Sequence, residues 1–257
     1  MATGDFNSQG RFSSRVGDYV RYRPTYPPAL VDFLRQGAGL VPDAAVADVG
    51  SGTGIFTRLL LAAKARVFAV EPNDDMRAAA EAEFAGQAGF TSVKGTAEAT
   101  GLAPASVALA TCAQAFHWFD PLKTRVEFGR ILVPAGGCAL IWNTSVRGGE
   151  FAEGYERIKK RFGTDFKQIR HEHLAASGRF DVFFGAGGWK RHAFDNAQVL
   201  DWEGLKGRLM SSSYAPEPDQ PGHAPMIAEL RTLFAQCQRS GFVRMEYETE
   251  LYLGQLG

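Results

Sequence analysis

Short apolar runs and helix-period stretches alternate through the first 145 positions of this chain. The runs predict strands near 45–49, 66–70, 90–94, 107–112 and 138–143, with helices over about 54–63, 74–85 and 120–132 between them. Ahead of these, Tyr26-Pro-Pro-Ala-Leu-Val-Asp-Phe-Leu34 opens a helix, because proline fits the first turn and apolar residues then recur at helical spacing. Strand and helix in alternation call for an α/β domain built on a doubly wound, largely parallel sheet covered on both faces. Residues 147–185 break the rhythm and read as a helical insertion. Beyond them the pattern gives a strand at Lys190–Phe194, a helix at Val199–Met210, a Pro-rich loop, a helix at Pro225–Arg239 and a last strand at Val243–Tyr252. In that strand Val243, Met245, Tyr247 and Thr249 alternate with Arg244, Glu246, Glu248 and Glu250. The expected organisation is an N-terminal arm (1–24), a ligand-binding core (25–146), a helical cap (147–185) and a C-terminal part (186–257) that completes the sheet and part of an acceptor pocket.

The most specific chemistry lies where the first strand meets its helix, in Val46-Ala-Asp-Val-Gly-Ser-Gly-Thr-Gly54. Glycines at alternate positions permit positive φ in a tight turn and let a ligand approach the backbone where a Cβ would collide. The spacing is Gly50-x-Gly52-x-Gly54, with Ile55 where a dinucleotide-binding loop needs its third glycine, so a pyrophosphate is not expected. Asp48 places a carboxylate before the turn, and Glu71 ends the second strand, where an acid can accept hydrogen bonds from ribose hydroxyls. These features together favour a nucleoside ligand over an ordinary strand-to-helix turn.

Composition narrows the partners. Lys plus Arg and Asp plus Glu are 28 each, so no overall charge steers the chain toward nucleic acid or an anionic membrane. No stretch approaches the roughly 20 apolar residues of a membrane span. Met1-Ala-Thr-Gly-Asp-Phe-Asn7 has neither the basic nor the apolar region of a secretory leader, and the expected compartment is cytoplasmic. Cys112, Cys138 and Cys237 fit neither a disulfide framework nor a zinc site. His171-Glu-His173 offers two imidazoles with no third ligand, so no metal is expected. Lys159-Lys-Arg161 reads as a solvated helix face.

Several segments, in order, resemble the class I S-adenosylmethionine-dependent methyltransferases. They are Asp48-Val-Gly-Ser-Gly-Thr-Gly54, Val70-Glu-Pro-Asn73 with Met76, Gly95-Thr-Ala-Glu98, Ala113-Gln-Ala-Phe-His-Trp-Phe119 and Leu132-Val-Pro-Ala-Gly-Gly137. Tyr22-Arg-Pro-Thr-Tyr-Pro27 and Phe116-His-Trp-Phe119 are similar to the small-molecule branch called methyltransferase type 11. The resemblance implies a seven-stranded Rossmann-like sheet, S-adenosyl-L-methionine as cofactor, and a small-molecule acceptor methylated at oxygen, or else at nitrogen or carbon. It implies a monomer or homodimer with neither nucleic acid nor membrane as partner. A macromolecular acceptor, or a non-catalytic nucleoside-binding protein of the same fold, are the alternatives.

Carried onto this chain, the resemblance assigns cofactor binding to Tyr19, Arg23, Asp48, Gly50, Ser51, Gly52, Thr53, Gly54, Glu71, Pro72, Met76, Thr96, Ala97, Glu98, Ala113, Gln114 and Ala115. Tyr19, Tyr22 and Arg23 look like the family's lid, with Arg23 available for the cofactor's carboxylate. Thr96 stands where the family commonly has an acid. The site is expected beyond the carboxyl ends of the strands, where Tyr22, Phe116, Trp118 and Phe119 would wall the acceptor pocket. His117 is the one histidine at that rim, and an imidazole titrates in the range of a general base.

Overall fold

The structure is a computed structural model that describes residues 17, 21–146, 148–163, 177–212 and 214–256. Helix α1 (Pro28–Gly37) starts on proline and buries Leu30, Val31 and Leu34. Then follow β1 (Ala45–Val49), α2 (Ile55–Ala62), β2 (Arg66–Val70), α3 (Asp74–Glu83), β3 (Phe90–Val93) and β4 (Val107–Ala113). A single 3₁₀ turn at Phe116–Trp118 leads into α4 (Pro121–Ile131) and β5 (Leu132–Ser145). The remainder is α5 (Glu150–Phe162), α6 (Arg179–Phe184), β6 (Trp189–Leu200), α7 (Trp202–Met210), α8 (His223–Cys237) and β7 (Val243–Gln255).

All seven strands form one sheet in the order β3-β2-β1-β4-β5-β7-β6. β1 to β5 run parallel, and β7 inserts antiparallel between β5 and β6. β1 is buried along its whole length, as a central strand covered on both faces must be. The chain crosses from β1 outward to β3, then returns to β4 on the other side of β1. That reversal opens a crevice at the carboxyl ends of β1 and β4, where ligands bind in open α/β sheets.

Two boundaries differ from the sequence pattern. Residue Val199 was expected to open a helix but continues β6, paired with Arg244, and α7 begins only after Asp201. The Asp201 side chain accepts from the Gly204 N–H at 2.7 Å, a stronger start signal than the apolar Val199. β5 begins at Leu132 rather than near 138, because Leu132 already pairs with Val107 before the register shifts to Leu109↔Gly137. A bulge of this kind hides a strand start behind Pro134-Ala-Gly-Gly137.

The core has three parts. One lies under α4 and α6 around Phe116, Phe128, Trp142, Phe180 and Phe183. A second lies under α1 and α2 on the other face of β1, and a third joins α5, α7 and α8 to β7. No helix of the described residues is long and apolar enough to cross a membrane.

Candidate cofactor and acceptor site

The turn after β1 uses its glycines for different reasons. All three have positive φ, at 69°, 57° and 86° for Gly50, Gly52 and Gly54. A Cβ on Gly50 would sit 2.5 Å from the Ala115 methyl and 3.1 Å from the Phe119 ring, so Gly50 lets the turn after β4 close against the turn after β1. A Cβ on Gly54 would run into the Phe84 ring. Gly52 differs: nothing lies within 4 Å of where its Cβ would point. Internal packing accounts for Gly50 and Gly54, whereas Gly52 faces open space.

Asp48 does not project a free carboxylate toward a ligand. It is almost wholly buried, with Oδ2 accepting from Thr57 Oγ1 at 2.6 Å and Oδ1 from Thr111 Oγ1 at 3.0 Å. Burial pushes its pKa up to about 6, and the hydroxyl bonds pull the other way. Its role in the geometry is to tie the base of the turn to α2 and β4. Thr57 and Thr111 were not singled out from the sequence. Only strand pairing places Thr111 opposite Asp48.

Glu71 is also buried, and burial raises its pKa against the two backbone bonds it accepts. Gly52 N–H donates to Oε2 and Asn73 N–H donates to Oε1, both at 2.9 Å. A carboxylate offers about four lone-pair sites, so two remain after these bonds fix its orientation. The Ser51 and Thr53 hydroxyls beside it are buried without a hydrogen-bond partner among the described residues. An open glycine position, two unused hydroxyls and a pre-oriented carboxylate make a cradle suited to a hydroxyl-rich ligand. Tyr26, Asp48, Gly50, Gly52, Ile55 and Ala113 enclose only about 30 Å³ behind the turn, on the scale of one water. That space is too small for a nucleoside, whereas the Gly52 Cβ position faces open space.

The other expected residues are distributed around this cradle. Asn73 caps α3 through Met76 N–H at 2.9 Å; Met76 is buried and Pro72 half-buried. Thr96 and Ala99 exchange backbone hydrogen bonds, which leaves Thr96 exposed and Ala97 buried. Glu98 Oε1 accepts from Asp120 N–H at 2.9 Å, joining this loop to the start of α4. Behind the loop, Thr100 donates through N and Oγ1 to Glu127, whose pKa is lowered to about 2 chiefly by Arg130. After β4, Ala113 and Gln114 are half-buried and Ala115 is buried. Gln114 takes φ of 60°, a strained conformation for a side chain of its length, held by its N–H on Ile141 O at 2.8 Å.

The aromatic turn separates into inward and outward members. Phe116 was expected on the acceptor pocket wall, but it is fully buried, with its ring 4.9 Å from Phe183 and 5.9 Å from Phe180. That is a correction: Phe116 anchors the turn in the core. His117, Trp118 and Phe119 remain half-buried, with the His117 and Trp118 rings 4.7 Å apart. Arg179, which the sequence reading missed, donates to Phe119 O at 2.5 Å from α6.

Tyr19 in the arm and the pair His171 and His173 in the 147–185 segment lie outside the described residues. Arg23 was expected at the cofactor's carboxylate, yet Nη2 donates to Ser211 O at 2.8 Å, at the carbonyl end of α7. A helix C-terminus attracts a cation, which explains the placement. The Tyr22 ring lies against Gly207, and its carbonyl accepts from Gln198 Nε2 at 3.1 Å. Both residues sit on the β6–α7 side.

A second cavity, about 710 Å³, opens at the same edge of the sheet. It is bounded by the end of β5 (Asn143–Ser145), the start of α5, Tyr155, Arg208, Tyr214 and the start of β7. The larger groove of about 1180 Å³ lies at the opposite edge, against Gly37–Gly39, Leu132–Gly137 and Leu253–Leu256, away from every ligand-facing turn.

Comparison with known proteins agrees with this geometry. Residues 47–140 match the family described as Methyltransferase domain. A methyltransferase of Mycobacterium tuberculosis is 39% identical over 137 residues, 52% of each chain, so the matched part spans about half the length of that relative. A methyltransferase-like protein of Schizosaccharomyces pombe is 27% identical over 93% of this chain and 92% of its own. A solved structure of a type II methyltransferase from Anaeromyxobacter dehalogenans superposes with a TM-score of 0.64 at 21% identity, covering 91% of this chain and 98% of that one. A methyltransferase from an antibiotic biosynthesis pathway of Anabaena variabilis gives 0.60 at 17% identity, covering 93% and 100%. Residues 47–140 are therefore similar to the Methyltransferase domain family, and the chain shares the α/β fold of these solved structures.

Proposed function

We propose that this chain is an S-adenosyl-L-methionine-dependent methyltransferase acting on a small-molecule metabolite, with oxygen as the methyl acceptor ahead of nitrogen or carbon. The observation that carries the cofactor assignment is the cradle at Ser51-Gly52-Thr53 and Glu71, with its open glycine and unused hydroxyls. In this reading Glu71 accepts from the ribose hydroxyls through its two remaining lone-pair sites. The Gly50–Gly54 turn takes the amino acid portion together with Ala113, Gln114 and Ala115. Pro72, Met76 and Thr96–Glu98 border the base. When bound, S-adenosylmethionine supplies a methyl carbon already activated by its sulfonium, so the protein's share is positioning, water exclusion and proton removal.

His117 is the proposed base for a hydroxyl acceptor. It follows β4 directly, on a turn whose other end is fixed by buried Phe116 and by Arg179 on Phe119 O. Such bracing keeps an imidazole from wandering, which general-base geometry requires. The test is transfer of a labelled methyl group across a panel of small hydroxy, amino and carboxylic metabolites. His117→Gln should lower turnover by roughly 10²–10⁴-fold on a hydroxyl acceptor, the usual contribution of a positioned base. S-adenosylhomocysteine affinity should be unchanged. Near-normal turnover with an unaltered pH profile would remove His117 from the chemistry, and methylation of protein or RNA alone would reject the small-molecule reading.

A further inference from the structure

Among the described residues, Arg208 has no anionic partner. Its Nε donates to Tyr247 Oη at 3.2 Å and its Nη1 makes a long contact to Ser212 Oγ at 3.4 Å. Three of the five guanidinium N–H donors are left without a partner among the described residues, and no carboxylate of those residues pairs with it. Arg208 is half-buried, bonded to Tyr247 of the apolar Tyr155–Leu230–Met245 cluster, and a guanidinium partly withdrawn from water favours a counter-ion. Arg208 lines the 710 Å³ cavity, and so does Tyr155, whose phenol oxygen is buried with no hydrogen-bond partner among the described residues. Burial pushes the Tyr155 phenol pKa up, so it stays a neutral donor.

The other charges around the cavity are already committed or face outward. Glu156 is held by Lys159 at 2.6 Å and by Lys160 at 3.7 Å, and Glu246 is held by Arg244 at 3.2 Å. Glu150 and Glu153 are exposed in the first turn of α5, at the rim. Phe151, Val146 and Met245 supply apolar wall. Among the described residues the interior thus presents an unneutralised cation, an unused phenol donor and an apolar lining.

We propose that this cavity binds the acceptor through a carboxylate held by Arg208 and Tyr155. The inference rests on the methyltransferase reading only in calling the ligand the acceptor. A planar carboxylate matches the guanidinium fork in two parallel hydrogen bonds. Arg208 is bonded to β7, three strand spacings from β1, about 14 Å at the usual 4.7–4.9 Å per strand. The bound carboxylate is therefore a recognition handle at one end of the acceptor. The nucleophile at its other end points back toward the glycine turn.

The test uses the full chain saturated with S-adenosylhomocysteine and titrated calorimetrically with 4-phenylbutyrate, its amide and phenylpropyl phosphate. The carboxylate should bind at least about tenfold more tightly than the amide, because the charge-assisted bonds are lost in the amide. Arg208→Gln should abolish that preference, and Tyr155→Phe, which keeps the ring, should reduce it. S-adenosylhomocysteine affinity should be the same in all variants. Equal binding of acid and amide, tighter binding of the phosphate, or no binding of any probe would overturn the carboxylate site. Carboxylate selectivity without S-adenosylhomocysteine binding would uphold the site and reject methyl transfer, so the two failures are separable.

Discussion

At the residue scale, Asp48 and Glu71 show how one residue type takes two roles within one crevice. Asp48 is sealed beneath the turn, with both oxygens satisfied by Thr57 and Thr111. Its native pKa, near 6, exceeds the usual carboxylate value, so the folded state binds more protons than the unfolded state between about pH 4 and 6. The stability this contributes is full below about pH 4 and is lost as pH rises through 6. Asp48→Asn should therefore gain stability relative to the wild type as pH rises across that window, by up to about 3 kcal/mol. Urea unfolding at pH 4.5 and 7.5 checks this; a constant difference between the two proteins would refute the buried-carboxylate account. Glu71 has two lone-pair sites left after its two backbone bonds, and Glu71→Gln should weaken S-adenosylhomocysteine binding by about 1.5–3 kcal/mol, the scale of hydrogen bonds to a charged acceptor. Glutamine is the better probe than alanine, since it can still accept from one of the Gly52 and Asn73 N–H groups whereas alanine releases both. The Asp48–Glu71 frame was legible because alternating glycines and strand-end acids follow from local backbone needs. The Asp48–Thr111 contact was not, since it depends on register between strands 63 residues apart in sequence.

At the element scale, β1, β2 and β4 and their helices were readable because buried parallel strands are short apolar runs with polar ends. The misread boundary at Val199 has the opposite cause. β6 is an edge strand whose residues are mostly exposed or half-buried, so it carries little alternation to separate it from a helix. Arg208 and Tyr155 escaped notice for a related reason: they come from α7 and α5, and no sequence interval brings them together. The attachment of residues 21–25 is a consequence of these outer elements. Asn143 and Asn196 side chains both donate to Thr25 O, at 3.1 and 2.8 Å, and Tyr22 lies on Gly207. A methyl group at 207 would strike that ring. Gly207→Ala should speed amide exchange in residues 21–25 while leaving β1, β4 and β5 protected. Unchanged exchange there would mean that α7 does not hold the arm.

At the scale of the whole molecule, the sheet order puts three loops on one edge: the glycine turn after β1, the aromatic turn after β4 and the end of β5 beside the Arg208 cavity. In the proposed reading the methyl donor and the acceptor take neighbouring crevices of a single sheet, one around Gly52 and Glu71 and one around Tyr155 and Arg208. The sequence carried the first crevice in residues 46–54 and the strand-end acid Glu71. The second exists only after β7 and β6 join the sheet and α5 and α7 fold against them. Calorimetric titration of the full chain with S-adenosylmethionine, with NAD as control, tests this account most directly, alongside Gly52→Val. The account predicts micromolar-range binding of S-adenosylmethionine, none of NAD, and loss of binding when a branched side chain fills the open space at Gly52. Binding of NAD without S-adenosylmethionine, or full S-adenosylmethionine affinity in a folded Gly52→Val variant, would contradict it.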